Sequence, residues 1–333
     1  TSLLPLVIAP LFGIIALPAA AAPFAHPIIF LLMGGFIIGK SIERWHLHER
    51  IALSILARAG TKSSALIGGF MAASALLSMW ISNSATVIML LPIVLSVAAQ
   101  TPFEPEDKRK FTIAALLGTA WAASIGGLGT PVGTPPNLIV IGFLESTGDT
   151  RFTFLKWMSF GLPVVAVMVP AAFLVLTKLG PRLSNSARTP QGFFEEKLAA
   201  LGKMRTPEKR VSIIFALIAF CWMFRRALLQ DLSVMGHHPF AGLNDTTIAV
   251  MGVILLFIVP AGDAQQPNAR LLDWPTAQSI PWDILLLFGG GLSLAAMIKA
   301  TGLSVWLGGE LSFITALHPV VMTLALVSFV IFF

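Results

Sequence analysis

Residues 77–86 read LSMWISNSAT and place several hydroxyls and one amide in the middle of a long apolar run. That run extends from Ala65 to Ala99, contains no charged residue and has its only proline at Pro92. Each polar group buried in lipid needs a hydrogen-bond partner, and a continuous helix offers little beyond its own carbonyls. The stretch therefore predicts an interrupted membrane-embedded helix.

A second interruption follows at residues 124–137, SIGGLGTPVGTPPN. Its glycines and prolines would abolish a spanning helix unless the break had a use. Two broken hydrophobic segments close together are typical of a transporter's binding site at mid-membrane. Taken singly, Ser74 and Thr86 are better explained by hydrogen bonds to their own or a neighbouring helix.

The composition predicts an all-α, polytopic membrane protein. Of the 333 residues, 56% are hydrophobic and 11% are charged, and the mean hydropathy is +0.84, whereas soluble domains carry about 25% charged residues. The net charge of +6 is assigned to basic loops, so no nucleic-acid partner is expected. The single Cys221 excludes an intramolecular disulfide and a cysteine metal cage.

The apolar segments define an expected domain organisation. Residues 1–62 should hold scaffold spans at 3–22 and 27–40 and an amphipathic interfacial helix at 41–62. Residues 63–177 should form a first-half transport domain, with a re-entrant hairpin at 64–99, a broken helix at 111–147 and a span at 154–177. Residues 178–210 should form a loop, and 211–312 the second-half scaffold, with spans at 211–229, 246–260 and 282–299 and an interfacial segment at 300–312. Residues 313–333 should start a second hairpin.

Loop charge sets the expected orientation. The loop 178–210 and the polar loop 101–110 are rich in Lys and Arg, which predicts that both are cytoplasmic. The loop 230–245 carries Asp231 and Asp245 without Lys or Arg and fits the outside. Because the helix 41–62 is also basic, 64–99 must enter and leave on one face. A metal site at His46 and His48 is disfavoured, because that spacing does not share a helical face.

An internal repeat is suggested by residues 28–36, IIFLLMGGF, and residues 284–292, ILLLFGGGL. Aligning Gly34 with Gly290 gives an offset of 256 residues. Counting membrane crossings from the loop 178–210 places the end of span 282–299 outside and the end of span 27–40 inside. The two copies would therefore have opposite orientations, as in the inverted repeats of many secondary transporters. The same offset carries Ser82 to position 338, beyond Phe333, so we expect the sequence to be a fragment that lacks half of the site.

The polar residues at depth are neutral, because all Asp and Glu residues lie in loops, interfacial pieces or near span ends. Hydroxyl, amide and backbone carbonyl oxygens are suitable ligands for a hard monovalent cation, and amides at a helix start suit an anion. Ser78 and Ser82 are expected to lie one turn apart, so that both can face the same ion.

The two site motifs, 77–86 and 124–137, resemble the first Ser-Asn-Thr signature and the partner loop of the divalent anion:sodium symporter family, and 281–303 resembles that family's second-half entry. The resemblance implies an inverted-repeat elevator transporter, usually a homodimer, which would here be a multi-pass protein of the inner membrane. It implies sodium-coupled symport of a divalent organic anion, such as the C4-dicarboxylate succinate, with no cofactor. Na⁺, the anion and the lipid bilayer are the expected partners.

The resemblance also assigns residues. Sodium would be bound by Ser78, Ser82, Asn83 and the carbonyl of Gly133. The substrate would be bound by Asn83, Ser84, Thr134 and Pro135. Residues expected to support the site loop are Gly126, Gly127, Gly129, Thr130 and Asn137. Ser84 stands where the family has Thr, which makes substrate choice less certain.

Three alternatives stay open at this point. Within the same family, the chain could belong to a sulfate or citrate carrier, or to a sodium-independent dicarboxylate exchanger. From another class, a membrane-embedded serine hydrolase would use Ser82 or Ser84 as its nucleophile and would need a base. All six histidines, including His237 and His238, lie in loops, interfacial pieces or span ends. We therefore expect no enzyme.

Overall fold

A computed structural model describes residues 1–147, 152–179, 189–190, 192–225, 240, 242–310 and 318–332. Within these ranges the chain is helical, apart from loops and one isolated β-bridge between Pro260 and Arg270. The helices are α1 (Leu4–Leu11), α2 (Leu17–Ala21), α3 (Pro27–Arg44), α4 (Leu47–Ala59), α5 (Ser63–Ser78), α6 (Asn83–Gln100), α7 (Pro105–Gly126), α8 (Pro135–Thr147), α9 (Phe154–Leu174), α10 (Phe193–Ala200), α11 (Thr206–Phe224), α12 (Asp245–Ile258), α13 (Trp274–Ala277), α14 (Trp282–Ala300), α15 (Leu303–Glu310) and α16 (Pro319–Phe332).

The predicted fold class, an all-α polytopic membrane protein, is confirmed. Among the described residues, five helical segments are long and apolar enough to cross a membrane: Leu17–Arg44, Asn83–Gln100, Pro105–Gly129, Phe154–Leu179 and Trp282–Ala300. Ser63–Ser78 and Asp245–Ile258 are shorter apolar helices. Large apolar side chains are exposed on these helices, as on Ile88 and Val167, which suits a lipid surrounding.

The chain divides into two compact units, one of residues 1–29 with 282–333 and one of residues 30–281. In the first unit, α14 packs against α1, α2 and the 3₁₀ turn Ala22–Ala25. The Ser293 hydroxyl donates a hydrogen bond of 2.7 Å to the carbonyl of Ala20. In the second unit, α5 and α6 both pack against α7, and α4 packs against α5. The domain boundaries expected from the sequence remain a prediction.

The span predicted at 3–22 is divided between two helices. α1 ends at Leu11, and Gly13 has a φ of +65° that no helix can include. A new helix, α2, begins at Leu17 with proline in its first turn, where the missing N–H costs nothing. The next predicted span, 27–40, lies within α3, which continues to Arg44.

The interfacial helix expected at 41–62 is divided. α3 ends at Arg44 and α4 begins at Leu47, with His46 in the left-handed region at a φ of 54°. The Trp45 indole donates to the carbonyl of Leu271 over 2.7 Å, which fixes the turn between the two helices. The amphipathic pattern is real, but it belongs to α4 and the last turn of α3.

The two basic loops are shorter than expected. The loop 101–110 ends at Glu104, because Pro105 starts α7 and two acidic residues occupy its first turn, where the helix dipole favours negative charge. The loop 178–210 contains α10, whose Phe193 and Phe194 are buried. Asp231, in the loop expected outside, lies beyond the described residues.

The helix starts support the internal repeat. α4 and α15 begin at Leu47 and Leu303, which are 256 residues apart, and α5 and α16 begin at Ser63 and Pro319, again 256 apart. α3 and α14 begin 255 residues apart. Two consecutive helices thus recur at the offset that the glycine motif predicts, and a third recurs within one residue of it. The opposite orientation of the two copies stays a prediction.

Candidate functional site

The first predicted break is present between α5 and α6. α5 ends at Ser78 and α6 begins at Asn83, with Ser82 in extended backbone before it. The Ser82 hydroxyl accepts a hydrogen bond of 3.2 Å from the Ala85 N–H and so caps α6. Because residues 79–82 are not helical, the expectation that Ser78 and Ser82 share a helical face is wrong. A single unbroken rod over 64–99 is excluded.

The second break lies between α7 and α8. α7 ends at Gly126, a 3₁₀ turn follows at Gly127–Gly129, and α8 starts at Pro135. Thr130 is in extended backbone, and its hydroxyl accepts a 3.1 Å hydrogen bond from the Gly133 N–H. The unwound segment is therefore an ordered loop with its own hydrogen bonds. We call residues 79–82 the first loop and residues 127–134 the second loop.

The two loops are in direct contact. The Thr130 hydroxyl donates a hydrogen bond to the carbonyl of Met79. A Cβ added to Gly133 would lie 2.6 Å from the Gly127 oxygen and 3.0 Å from the carbonyl oxygens of Ser78 and Met79. These neighbours are all backbone atoms, so only glycine allows the loops to approach this closely.

Four of the predicted site residues converge at this contact. The Ser78 hydroxyl donates to Asn83 Oδ1 across the first loop. Asn83 Oδ1, Thr134 Cβ and the Gly133 oxygen lie 2.9, 3.2 and 3.4 Å from the position that a Cβ on Gly127 would occupy. One small region therefore holds a hydroxyl, an amide oxygen and several backbone carbonyls.

The residues expected to support the site loop form the buried contacts of the second loop. The Asn137 side-chain amide donates 2.8 Å hydrogen bonds to the carbonyls of both Gly127 and Thr130, and Asn137 is buried. Gly129 accommodates the Met79 side chain, and Gly126 lies against the backbone of Ala75. These contacts fix the second loop from its buried side.

Burial separates the predicted site residues into two sets. Ser78 and Gly133 are buried. The other predicted ligands are half-buried or, for Ser84, exposed: Ser82, Asn83, Ser84, Thr134 and Pro135. The residues expected to contact substrate thus lie on the accessible side. Pro135 has no N–H, so its backbone can offer only its carbonyl oxygen.

The site is electrically polarised without charged side chains. The last carbonyls of α5 lack helical partners and carry partial negative charge, and the first amides of α6 carry partial positive charge. Both ends meet at the first loop. The arrangement can therefore hold a small cation beside the α5 end and an anionic group beside the α6 start.

The hydroxyls interpreted as packing groups have that role. The Ser74 hydroxyl donates to the Thr119 carbonyl over 2.7 Å. The Thr86 hydroxyl donates to the Ser82 carbonyl over 3.1 Å. Sequence reasoning missed three residues of α9 that contact the loops, namely Phe154, Trp157 and Gly161. Their only signal is their i, i+3, i+7 spacing, which any buried helix face shows.

In the described part of the chain, neither a metal cluster nor the His46–His48 pair is found at the loops. Among the described residues, no group of three His, Cys, Asp or Glu side chains could hold a metal ion. The rings of His46 and His48 stack on each other, and each ring has a local hydrogen-bond partner. His237 and His238, which the hydrolase alternative invoked, lie outside the described residues.

The known proteins that this chain resembles are transporters by name. The family described as citrate transporter (CitMHS) matches residues 1–333. The sodium-dependent dicarboxylate transporter SdcS of Staphylococcus saprophyticus is 37% identical over 342 residues, covering 100% of this chain and 64% of that protein. The protein of the same name from Staphylococcus aureus (strain USA300) is 37% identical over 332 residues, covering 97% of this chain and 62% of that protein.

The chain thus spans less than two thirds of the length of these relatives. Their names and that of the family denote transporters and not enzymes, so the serine-hydrolase alternative is abandoned. The predicted resemblance to divalent anion:sodium symporters is confirmed. The chain belongs to the family described as citrate transporter.

Proposed function

We propose that the protein carries out sodium-coupled symport of a C4-dicarboxylate such as succinate across the cytoplasmic (inner) membrane. The observation that carries the proposal is the convergence of Ser78, Asn83, Gly133 and Thr134 where two broken helices meet. The sodium dependence and the dicarboxylate substrate named for the two staphylococcal relatives support it.

Sodium is cargo in this scheme, and its ligands are neutral oxygens. The proposed ligands are the Ser78 and Ser82 hydroxyls, Asn83 Oδ1 and the Gly133 carbonyl. Two of them, on Ser78 and Asn83, are already in hydrogen-bond contact. The carbonyl end of α5 adds a favourable field for a cation.

The substrate carboxylate would bind on the more exposed side. Asn83, Ser84 and Thr134 offer amide and hydroxyl donors, and the first turn of α6 offers backbone amides. Pro135 would contact the substrate through its ring and hold the start of α8. A bound cation a few ångströms away lowers the cost of desolvating the carboxylate, which gives a physical reason for coupling.

The larger-scale mechanism rests on the family resemblance. We propose a homodimer in which a transport domain moves the loaded site past a scaffold, as in an elevator. The repeated helix starts at an offset of 256 residues support the two-repeat architecture that such a mechanism uses. The second repeat would supply the other half of the site.

The test is uptake of labelled succinate by the full-length protein in proteoliposomes, with an inward sodium gradient or with choline in its place. We expect uptake to require sodium and to fall when malate competes. Stronger competition by citrate or sulfate would identify one of those anions as the substrate. Uptake that needs internal dicarboxylate and ignores sodium would identify an exchanger and refute symport.

A further inference from the structure

One face of α9 contacts both loops of the site. Phe154, Trp157 and Gly161 follow one another at the i, i+3, i+7 spacing of a single helix face. The Phe154 ring stacks on Trp80 of the first loop, with centroids 6.1 Å apart and an interplanar angle of 14°. Trp80 also meets Phe215 edge-on at 5.0 Å.

The same face also contacts the second loop. The Trp157 indole N–H donates a 3.0 Å hydrogen bond to the carbonyl of Leu128. A Cβ on Gly161 would overlap the Leu128 oxygen and would lie 3.2 Å from Gly129 Cα. Helix and loop backbone are therefore in contact with no side chain between them, and the 3₁₀ turn cannot move toward α9.

The start of α9 is itself anchored away from the loops. The Phe154 N–H donates to Asp245 Oδ2 over 3.0 Å, and the Phe154 ring stacks on Trp222 at 4.6 Å. Asp245 forms an ion pair with Arg225, with 3.2 Å between Asp245 Oδ1 and Arg225 Nε. The face that holds the loops is thus tied to α11 and α12.

We propose that this face of α9 positions the two loops against each other and thereby sets the sodium affinity of the half-site. The inference rests on the proposed function. Phe154, Trp157 and Gly161 are positioning residues, because they touch the loops and not the ion. Met79 packs on Gly129 while its neighbour Trp80 packs on α9, so the first loop is held from two sides.

If the face had a purely structural role, substitutions in it would lower protein yield or thermal stability without changing the sodium requirement. If the face has a positioning role, its substitution changes the distance between the Ser78 hydroxyl and the Gly133 carbonyl, and hence the ion affinity, at unchanged substrate chemistry. The sodium concentration for half-maximal succinate uptake separates these two roles, provided that it is measured at saturating succinate.

Trp157→Phe is the cleanest variant, because it keeps an aromatic ring and deletes the N–H donor. We expect the half-saturating sodium concentration to rise about two- to tenfold, the equilibrium range that one lost hydrogen bond covers, with the maximal rate little changed. Gly161→Ala, which forces the turn away from α9, should raise it as well. The matched control is Phe160→Ala, which changes an aromatic residue of the same helix whose side chain is 62% exposed; it should leave the sodium requirement as in wild type.

Hydrogen exchange of the full-length protein in nanodiscs provides a readout that does not depend on the coupling of succinate uptake to sodium. Amides of the second loop should exchange faster in Trp157→Phe than in Phe160→Ala. A wild-type sodium requirement in both Trp157→Phe and Gly161→Ala would overturn the inference. If wild-type uptake proves independent of sodium, the proposed function fails, and the claim that α9 sets a sodium affinity fails with it. The positioning of the loops by α9 is then tested by exchange alone, and it fails if exchange of the second loop is unchanged in Trp157→Phe.

Discussion

Gly133→Ala tests the close contact of the two loops. The new Cβ would lie 2.6 Å from the Gly127 oxygen and 3.0 Å from those of Ser78 and Met79, whereas ordinary contact begins at 3.4 Å. The second loop would have to widen by about 0.8 Å at Gly127 and the two loops would have to separate by about 0.4 Å, and no flexible side chain can yield instead. Overpacking of this kind costs about 1–3 kcal/mol. A change of that size in ion binding corresponds to about 5–150-fold in affinity.

The assay is the sodium dependence of succinate uptake by the full-length protein. We expect Gly133→Ala to require at least about fivefold more sodium for half-maximal uptake. Gly291→Ala is the matched control, because a Cβ there meets nothing within 4 Å and alanine is the better helix former. A wild-type sodium requirement in a well-folded Gly133→Ala protein would refute the proposed contribution of loop contact to ion binding.

Three further predictions concern stability in detergent or nanodiscs, measured by thermal unfolding. Asn137→Ala should destabilise by about 2 kcal/mol, because it leaves two buried carbonyls without their amide donor. Glu208→Ala should destabilise by about 3 kcal/mol, because it leaves the Arg50 guanidinium, now 2.6 Å from Glu208, without its buried carboxylate. Burial lowers the pKa of His48 below its ordinary 6.5, although Glu49 and Glu43 act to raise it. The unfolded chain then binds more protons, so stability should fall as the pH drops through 6.5, and His48→Gln should flatten that fall.

Each of these predictions has an outcome that would contradict it. Unfolding of Asn137→Ala at the wild-type temperature would mean that water replaces the lost donor. Glu106→Ala removes an exposed ion pair with Lys110 and is the control for Glu208→Ala; equal effects would contradict the importance of burial. An unchanged pH dependence in His48→Gln would assign the loss of stability in acid to other groups.

The two breaks could be predicted from the sequence because their cause is local. Hydroxyls and an amide within an uncharged apolar run, and closely spaced glycines and prolines in the next, are incompatible with continuous helices in lipid. Local chemistry also predicts which residues face the break. It does not predict that Ser82 caps α6. The four-residue spacing from Ser78 predicts a side chain on the same helix face, whereas Ser82 lies in extended backbone.

The positioning face of α9 could not be predicted, because aromatic residues within an apolar span look the same whether they contact lipid, core or a site loop. Pro10 and Gly13 favour a break in the span at 3–22, but both residue types also occur within membrane helices, so the break could not be predicted from them. The early start of α7 at Pro105 escaped prediction because its first turn is highly charged, which resembles a loop in composition. In these three places the tertiary contacts of the folded chain, and not the local sequence, determine the structure.

Sodium binding to the purified full-length protein, titrated with labelled sodium, tests the central claim most directly. Asn83→Ala should shift binding to about tenfold higher sodium, the effect of losing a contact of about 1.4 kcal/mol, whereas Ser84→Ala should leave it unchanged and weaken succinate binding instead. Wild-type sodium binding in Asn83→Ala would contradict the proposal that the meeting point of the two broken helices holds the ion.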